Sequence, residues 1–187
     1  MRKVIAAINM TLDGYCDHTA VNPDEAIHDH YTELLKSAGT ILYGSITFKL
    51  MQYWQDLLRQ PSGVPSMDDF AQSIDQILKI VFSHKLQDTG WDTATLAQQP
   101  LEATTIALKQ QPGKPVLVGS PGLIRQLLQL NLIDEYQICV HPVVAGGGKP
   151  LFENVDRTLF KLVNTKTFAS GAVILYYEVA STKTRIN

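Results

Sequence analysis

No run of basic residues occurs in the sequence, and 16 Lys and Arg against 18 Asp and Glu leave a formal charge of -2. That balance gives no electrostatic reason to expect a nucleic acid or an anionic membrane as partner. No stretch of about 18 apolar residues occurs either, so nothing reads as a membrane span. The basic start and apolar run of MRKVIAAINMTLDGY resemble a secretion signal, but Asn9, Thr11 and Asp13 interrupt the run early. No small-residue cleavage site follows it. The two cysteines, Cys16 and Cys139, lie far apart with no CxxC spacing. A single disulfide between them is one reading; reduced, half-buried thiols in a cytoplasmic protein are the expectation. His28 and His30 stand two apart and point apart on a helix, so no metal site is expected. Ser120 lacks the GxSxG elbow of a hydrolase nucleophile.

What is present is an ordinary globular composition, 45% hydrophobic and 18% charged, with no internal repeat or low-complexity segment. One domain over residues 1–180, followed by a short tail at 181–187, is the expected organisation. Lys3 to Ile8 and Thr40 to Tyr43 are apolar runs suited to strands buried on both faces. Between them, Asn22 reads as a helix cap with Pro23 first in the helix, and Ile27, Tyr31, Leu34, Leu35 and Ala38 form its apolar stripe. A helix is expected from Thr47 to Leu58, and another capped by Ser66 with Asp69 as a weak capping box. Strands follow at Leu78 to Phe82 and Thr93 to Leu96, then a helix from Pro100 to Gln111. Val116 to Val118 reads as a strand, Leu123 to Leu130 as a helix and Glu135 to Val144 as a strand. Phe160 to Thr167 and Ala172 to Val179 form a terminal hairpin across Ser170-Gly171. The alternation predicts an α/β fold: a mixed, mostly parallel central sheet, helices on both faces and a C-terminal antiparallel hairpin.

In VLVGSPGLIRQLL, Gly119 ends a buried strand and Gly122 sits where a helix begins. Ligands in open α/β sheets bind beyond the carboxyl ends of the strands, and glycines there let the backbone approach a phosphate. The pattern is not GxGxxG, and Pro121 removes one donor N–H. Alone, a plain strand-to-helix turn accounts for it better than a phosphate site does. Its companions in chain order are AAINMTLDGY, ILYGSITFKLM, VFSHKL and LIDEYQICVHPVVAGGGKPLF. Together these resemble the dihydrofolate-reductase-like superfamily, in the branch of the riboflavin-biosynthesis reductase domain and its single-domain relatives, over about Lys3 to Val179.

The resemblance implies NADPH as cofactor, hydride transfer to a small, pterin- or pyrimidine-like heterocycle, and a homodimer. It places Ala6 and Ala7 under the nicotinamide, with Leu12, Asp13 and Gly14 closing over it and Val144, Ala145 and Gly146 flanking it. Gly44, Ile46 and Thr47 would meet the pyrophosphate and ribose, Gly119, Ser120, Gly122 and Leu123 the pyrophosphate, and Ser83 and His84 the adenine-side ribose. Relatives carry an arginine for the 2′-phosphate where this chain has Ser45, and serine cannot replace a bidentate guanidinium. That leaves NADH open beside NADPH, with His84 and Lys85 as compensating groups. The first-helix carboxylate of folate reductases falls near His28, with Asp24, Glu25 and Asp29 adjacent. His28, Asp29 and Tyr31 are the candidates for the substrate pocket and for proton delivery. No deaminase half with HxE and PCxxC accompanies the domain. A stand-alone pyrimidine reductase and a catalytically silent nucleotide-binding dimer are therefore the alternatives.

Overall fold

The computed structural model describes residues 1–180; the expected tail lies outside the described residues. Its centre is one eight-stranded sheet: β1 (Val4–Thr11), β2 (Thr40–Gly44), β3 (Leu78–Phe82), β4 (Ala94–Leu96), β5 (Val116–Val118), β6 (Glu135–His141), β7 (Phe160–Thr167) and β8 (Val173–Val179). The spatial order is β4-β3-β2-β5-β1-β6-β8-β7. The first six strands pair in parallel; β8 pairs antiparallel to β6, and β7, antiparallel to β8, closes that edge. This is the mixed, mostly parallel architecture that the alternating sequence pattern predicts.

Helices cover both faces because the central strands are apolar on both sides. On β1, Val4, Ala6 and Ile8 face one core, shared with Leu42, Val116, Val118 and the α5 (Pro121–Gln129) stripe of Leu123, Ile124 and Leu127. Ile5 faces the other, with Ile41, Tyr43 and Leu117. There the sheet packs against α1 (Glu25–Ser37), α2 (Ser45–Arg59) and α3 (Pro65–Gln76). α4 (Leu101–Gln110) accompanies α5, anchored by buried Leu101 and Thr105.

Several boundaries differ from expectation. Asp24, not Asn22, caps α1: its carboxylate accepts from Ile27 N at 2.9 Å, which points Ile27 into the core. α3 begins at Pro65 with Val64 as cap, and Ser66 is buried inside it. The stabilising carboxylate is Asp68, which turns back to accept from the N–H groups of Ser62 and Gly63. β6 stops at His141 rather than Val144, since Pro142 has no N–H to continue the ladder. α2 and α5 each start two residues earlier than expected, which brings both starts up to the strand ends.

Phe48 is 1% exposed and fixes α2 to the sheet. Phe48→Ala should cost about 3–5 kcal/mol, read as a lower denaturant midpoint, whereas Leu78→Ser on the exposed side of β3 should stay within about 0.5 kcal/mol.

Candidate active site

The sheet has a topological switch point between β2 and β5. From β2 the chain runs into α2 on one face towards β3; from β5 it runs into α5 on the other face towards β6. Such a divergence opens a crevice at the carboxyl ends of the strands. Gly44 and Ser120 occupy the cap positions of α2 and α5, and neither helix has a side-chain cap. Instead, the buried Ser120 hydroxyl accepts from Gly44 N at 2.9 Å, stitching the two helix starts together. The first-turn N–H groups of both helices are therefore left for an external acceptor, at the positive ends of two helix dipoles. Glycine at 119 lets the Tyr43 ring pack close: a Cβ there would lie 3.0 Å from its Cε1, so the ring would have to give. A Cβ at Gly122 would meet nothing within 4 Å, so its backbone faces open space.

From this crevice a cavity of about 560 Å³ extends between the sheet and helices α1, α2 and α3. Ala7, Asn9, Tyr43 and Gly119 line its sheet side; His28 and Tyr31 reach it from α1, Thr47 and Trp54 from α2, Phe70 from α3. Its size and its mainly apolar wall with few polar groups are those of a small-molecule site.

The expected site residues divide over this geometry. Ala7, His28, Tyr31, Thr47 and Gly119 line the cavity. Ser45 and Ile46 open α2 beside it, with Ile46 exposed, and Gly44, Ser120 and Gly122 form the crevice. Ala6 and Leu123 instead belong to the core on the opposite face, because strand neighbours alternate and α5 packs there. Their backbones, not their side chains, are what a ligand could meet. Asp29 lies one residue round α1 from His28, in a separate depression with Lys166 and Phe168, and does not reach the cavity. Asp24 is engaged as the α1 cap, and Glu25 is exposed. No α1 carboxylate lines the cavity.

Leu12, Asp13 and Gly14 do not line it either; they clasp the loop of Val144, Ala145 and Gly146. Asp13 accepts from Ala145 N at 3.1 Å and Gly146 N at 2.8 Å, and from Thr11 Oγ1 at 2.6 Å. The Thr11 hydroxyl above all, with these amides, holds its carboxyl below the usual range. Gly14 has φ of 91°, a left-handed turn that glycine permits. Leu12 and Val144 stay exposed at the rim, beyond the last β1–β6 pair, Thr11 with His141. At the end of β3, Ser83 accepts from Lys85 N and Leu86 N, leaving His84 and Lys85 exposed beside β2.

Sequence reasoning missed Asn9, His141, Trp54 and Phe70. Asn9 Oδ1 lies 3.1 Å from the Tyr31 hydroxyl and 3.0 Å from His141 Nε2, which itself sits 3.7 Å from Cys139 Sγ. The signal was available: Asn9 is a polar residue at alternate spacing from Ala7 in a buried strand. Burial lowers the His28 and His141 pKa values and raises that of Tyr31 well above its ordinary value. Burial likewise pushes Cys16 and Cys139, both free, up to about 12, so neither is a nucleophile near neutrality.

His30 lies on the far side of α1, with Lys166 Nζ 3.4 Å from its Nδ1. Burial first, then the Lys166 charge, pushes its pKa down to about 4. Neutral in the fold, it takes up a proton on unfolding once the pH is below about 6.5. Stability is therefore complete above that pH and declines as the pH falls towards 4. Melting temperatures measured across this window should fall, and His30→Asn should flatten the decline.

The model of the RibD C-terminal domain family matches residues 2–174. The chain is 33% identical over 181 residues to the uncharacterized protein YyaP of Bacillus subtilis (strain 168), covering 94% of each. It superimposes on a putative riboflavin biosynthesis protein from Shewanella sp. PV-4 with a TM-score of 0.71 at 19% identity, covering 95% of this chain and 99% of that one. It also superimposes on a Thermotoga maritima diaminohydroxyphosphoribosylaminopyrimidine deaminase/5-amino-6-(5-phosphoribosylamino)uracil reductase. That match has a TM-score of 0.63 at 15% identity and covers 96% of this chain but 57% of that one. Stitched helix starts at a switch point, a cavity beside them and a family match from Arg2 to Ile174 agree: the chain belongs to the RibD C-terminal domain family.

Proposed function

We propose that the protein is an NADPH-dependent reductase of a small molecule, acting within the cytoplasm. The observation that carries this reading is the pair of uncapped helix starts joined by Ser120 Oγ and Gly44 N, opening onto the cavity. Two dipole ends with free N–H groups fit a pyrophosphate, and the bare Gly122 backbone lets it approach. A bound reduced nicotinamide would supply a hydride.

The chain's own contributions follow from placement. Ala7 and Gly119 are small, so a flat ring can lie against the sheet between them. The Asp13 clasp holds the 143–146 loop at the rim, and the helices over the cavity limit access of water. His28 and Tyr31 are the polar groups of α1 in the cavity. His28 is the better proton carrier, since burial keeps the Tyr31 hydroxyl protonated. Towards the 2′-phosphate, Lys85 supplies the charge that Ser45 lacks and His84 a hydrogen-bonding ring beside it, from the neighbouring strand end.

A second copy of the chain is the proposed partner. The β7 edge exposes Leu162 and Val163 at its bulge, an unpaired strand of the kind that adds to another. On size-exclusion chromatography the chain should run as a dimer and Val163→Lys as a monomer.

Titrating NADPH into the protein should raise its melting temperature, because a ligand of the folded state stabilises it. Gly122→Asp should stabilise α5 slightly, by about 0.3–1 kcal/mol, yet abolish that shift by placing a carboxylate at the phosphate position. Ser45→Arg should increase the preference for NADPH over NADH by about tenfold or more. No shift with either nucleotide at millimolar concentration would contradict the reading.

A further inference from the structure

The end of the cavity away from the helix starts has a chemistry of its own. Trp54 and Phe70 stand with ring centroids 4.6 Å apart, and the His28 ring lies 5.7 Å from Trp54 and 6.0 Å from Phe70. Leu34, Leu50 and Met51 fill the wall between these rings. Among the described residues no lysine or arginine lines the cavity. His18 lines it next to Asp17, and the charges of Lys149 and Arg125 reach Cys16 in its wall. Lys149 is exposed outside the lining, and Arg125 is engaged with Pro150 O at 2.7 Å and Glu153 at 3.7 Å. The carboxylate that does line the cavity, Asp17, accepts from Thr19 N and Oγ1 and keeps its negative charge at the mouth.

A phosphate monoester carries about 1.5 to 2 negative charges at neutral pH and is normally matched by arginine or lysine. Here it would be desolvated against aromatic rings and face Asp17. A flat, uncharged molecule would avoid the cost of desolvating a charge and would bury apolar area against Trp54 and Phe70.

One polar anchor is built into the sheet. Asn9 Oδ1 is held between the Tyr31 hydroxyl and His141 Nε2. Its amide nitrogen makes no hydrogen bond among the described residues, while Asn9 lines the cavity. The carboxamide thus offers N–H donors to an oxygen or ring nitrogen of the occupant.

We propose that the protein's substrate is an uncharged, planar, largely apolar molecule with one hydrogen-bond acceptor placed on Asn9, and that phosphorylated compounds are excluded. This rests on the reading that the cavity's other end serves the nicotinamide. It separates the chain from a phosphoribosyl-pyrimidine reductase, although the fold is shared.

The test is equilibrium binding, by isothermal titration calorimetry, of 1-naphthol, naphthalene and 1-naphthyl phosphate to the full chain without nucleotide. 1-Naphthol should bind about tenfold or more tightly than its phosphate ester. Trp54→Ala should weaken it about fivefold, and Asn9→Leu should weaken 1-naphthol but not naphthalene. Leu50→Lys should bring the phosphate ester up towards the alcohol. Equal or tighter binding of the ester, absence of saturable 1-naphthol binding, or indifference to Trp54→Ala would overturn the inference. The nucleotide reading is scored separately: an NADPH-induced melting shift without naphthol preference rejects the substrate class alone. Naphthol preference without that shift rejects the cofactor alone.

Discussion

The hydrogen bond from Gly44 N to the buried Ser120 hydroxyl joins two strand ends whose chains then leave for opposite faces of the sheet. Without it, the starts of α2 and α5 would be separate helix ends. Ser120 is at the cap position of α5 but commits its oxygen to the neighbouring strand end, so α5 keeps its N–H groups free. The α2 cap is glycine, which has no side chain to offer. One hydroxyl thus aligns two dipole ends and leaves both unsatisfied, an arrangement that is costly unless a ligand or water answers it.

The rest of the site is arranged around that junction. Tyr43 lies against Gly119 so closely that a Cβ there would press on its ring. Beyond it, the cavity changes from open backbone to aromatic side chains over the length of α2, from Thr47 to Trp54. The opposite rim is held by Asp13, whose carboxylate is consumed by three hydrogen bonds and serves the loop rather than a reaction. Charge is therefore sparse inside the cavity and concentrated at its edges.

Much of this was legible in the chain. Apolar runs such as VIAAI and TILY suit strands buried on both faces, and the strand–helix alternation then points to a parallel sheet. The crevice glycines were readable because a strand that ends in glycine just before a helix brings bare backbone to the carboxyl edge of the sheet. What escaped has physical causes. Asn22 and Asp24 are both competent caps, and only the need to bury Ile27 chooses between them. Ala6 and Ala7 look equivalent as letters, but strand alternation sends their side chains to opposite faces. Asn9 read as an interruption of an apolar run because its partners, Tyr31 and His141, are 22 and 132 residues away in sequence. Asp29 looked like a pocket carboxylate because its angle on α1 is fixed only once the helix is docked.

The most direct measurement is a crystal structure of the protein soaked with NADPH. The pyrophosphate oxygens should lie within hydrogen-bonding distance, about 3 Å, of first-turn N–H groups on both α2 and α5. The nicotinamide should lie over Ala7. A nucleotide seated elsewhere, or one touching a single helix start with the Ser120–Gly44 junction opened, would contradict that arrangement.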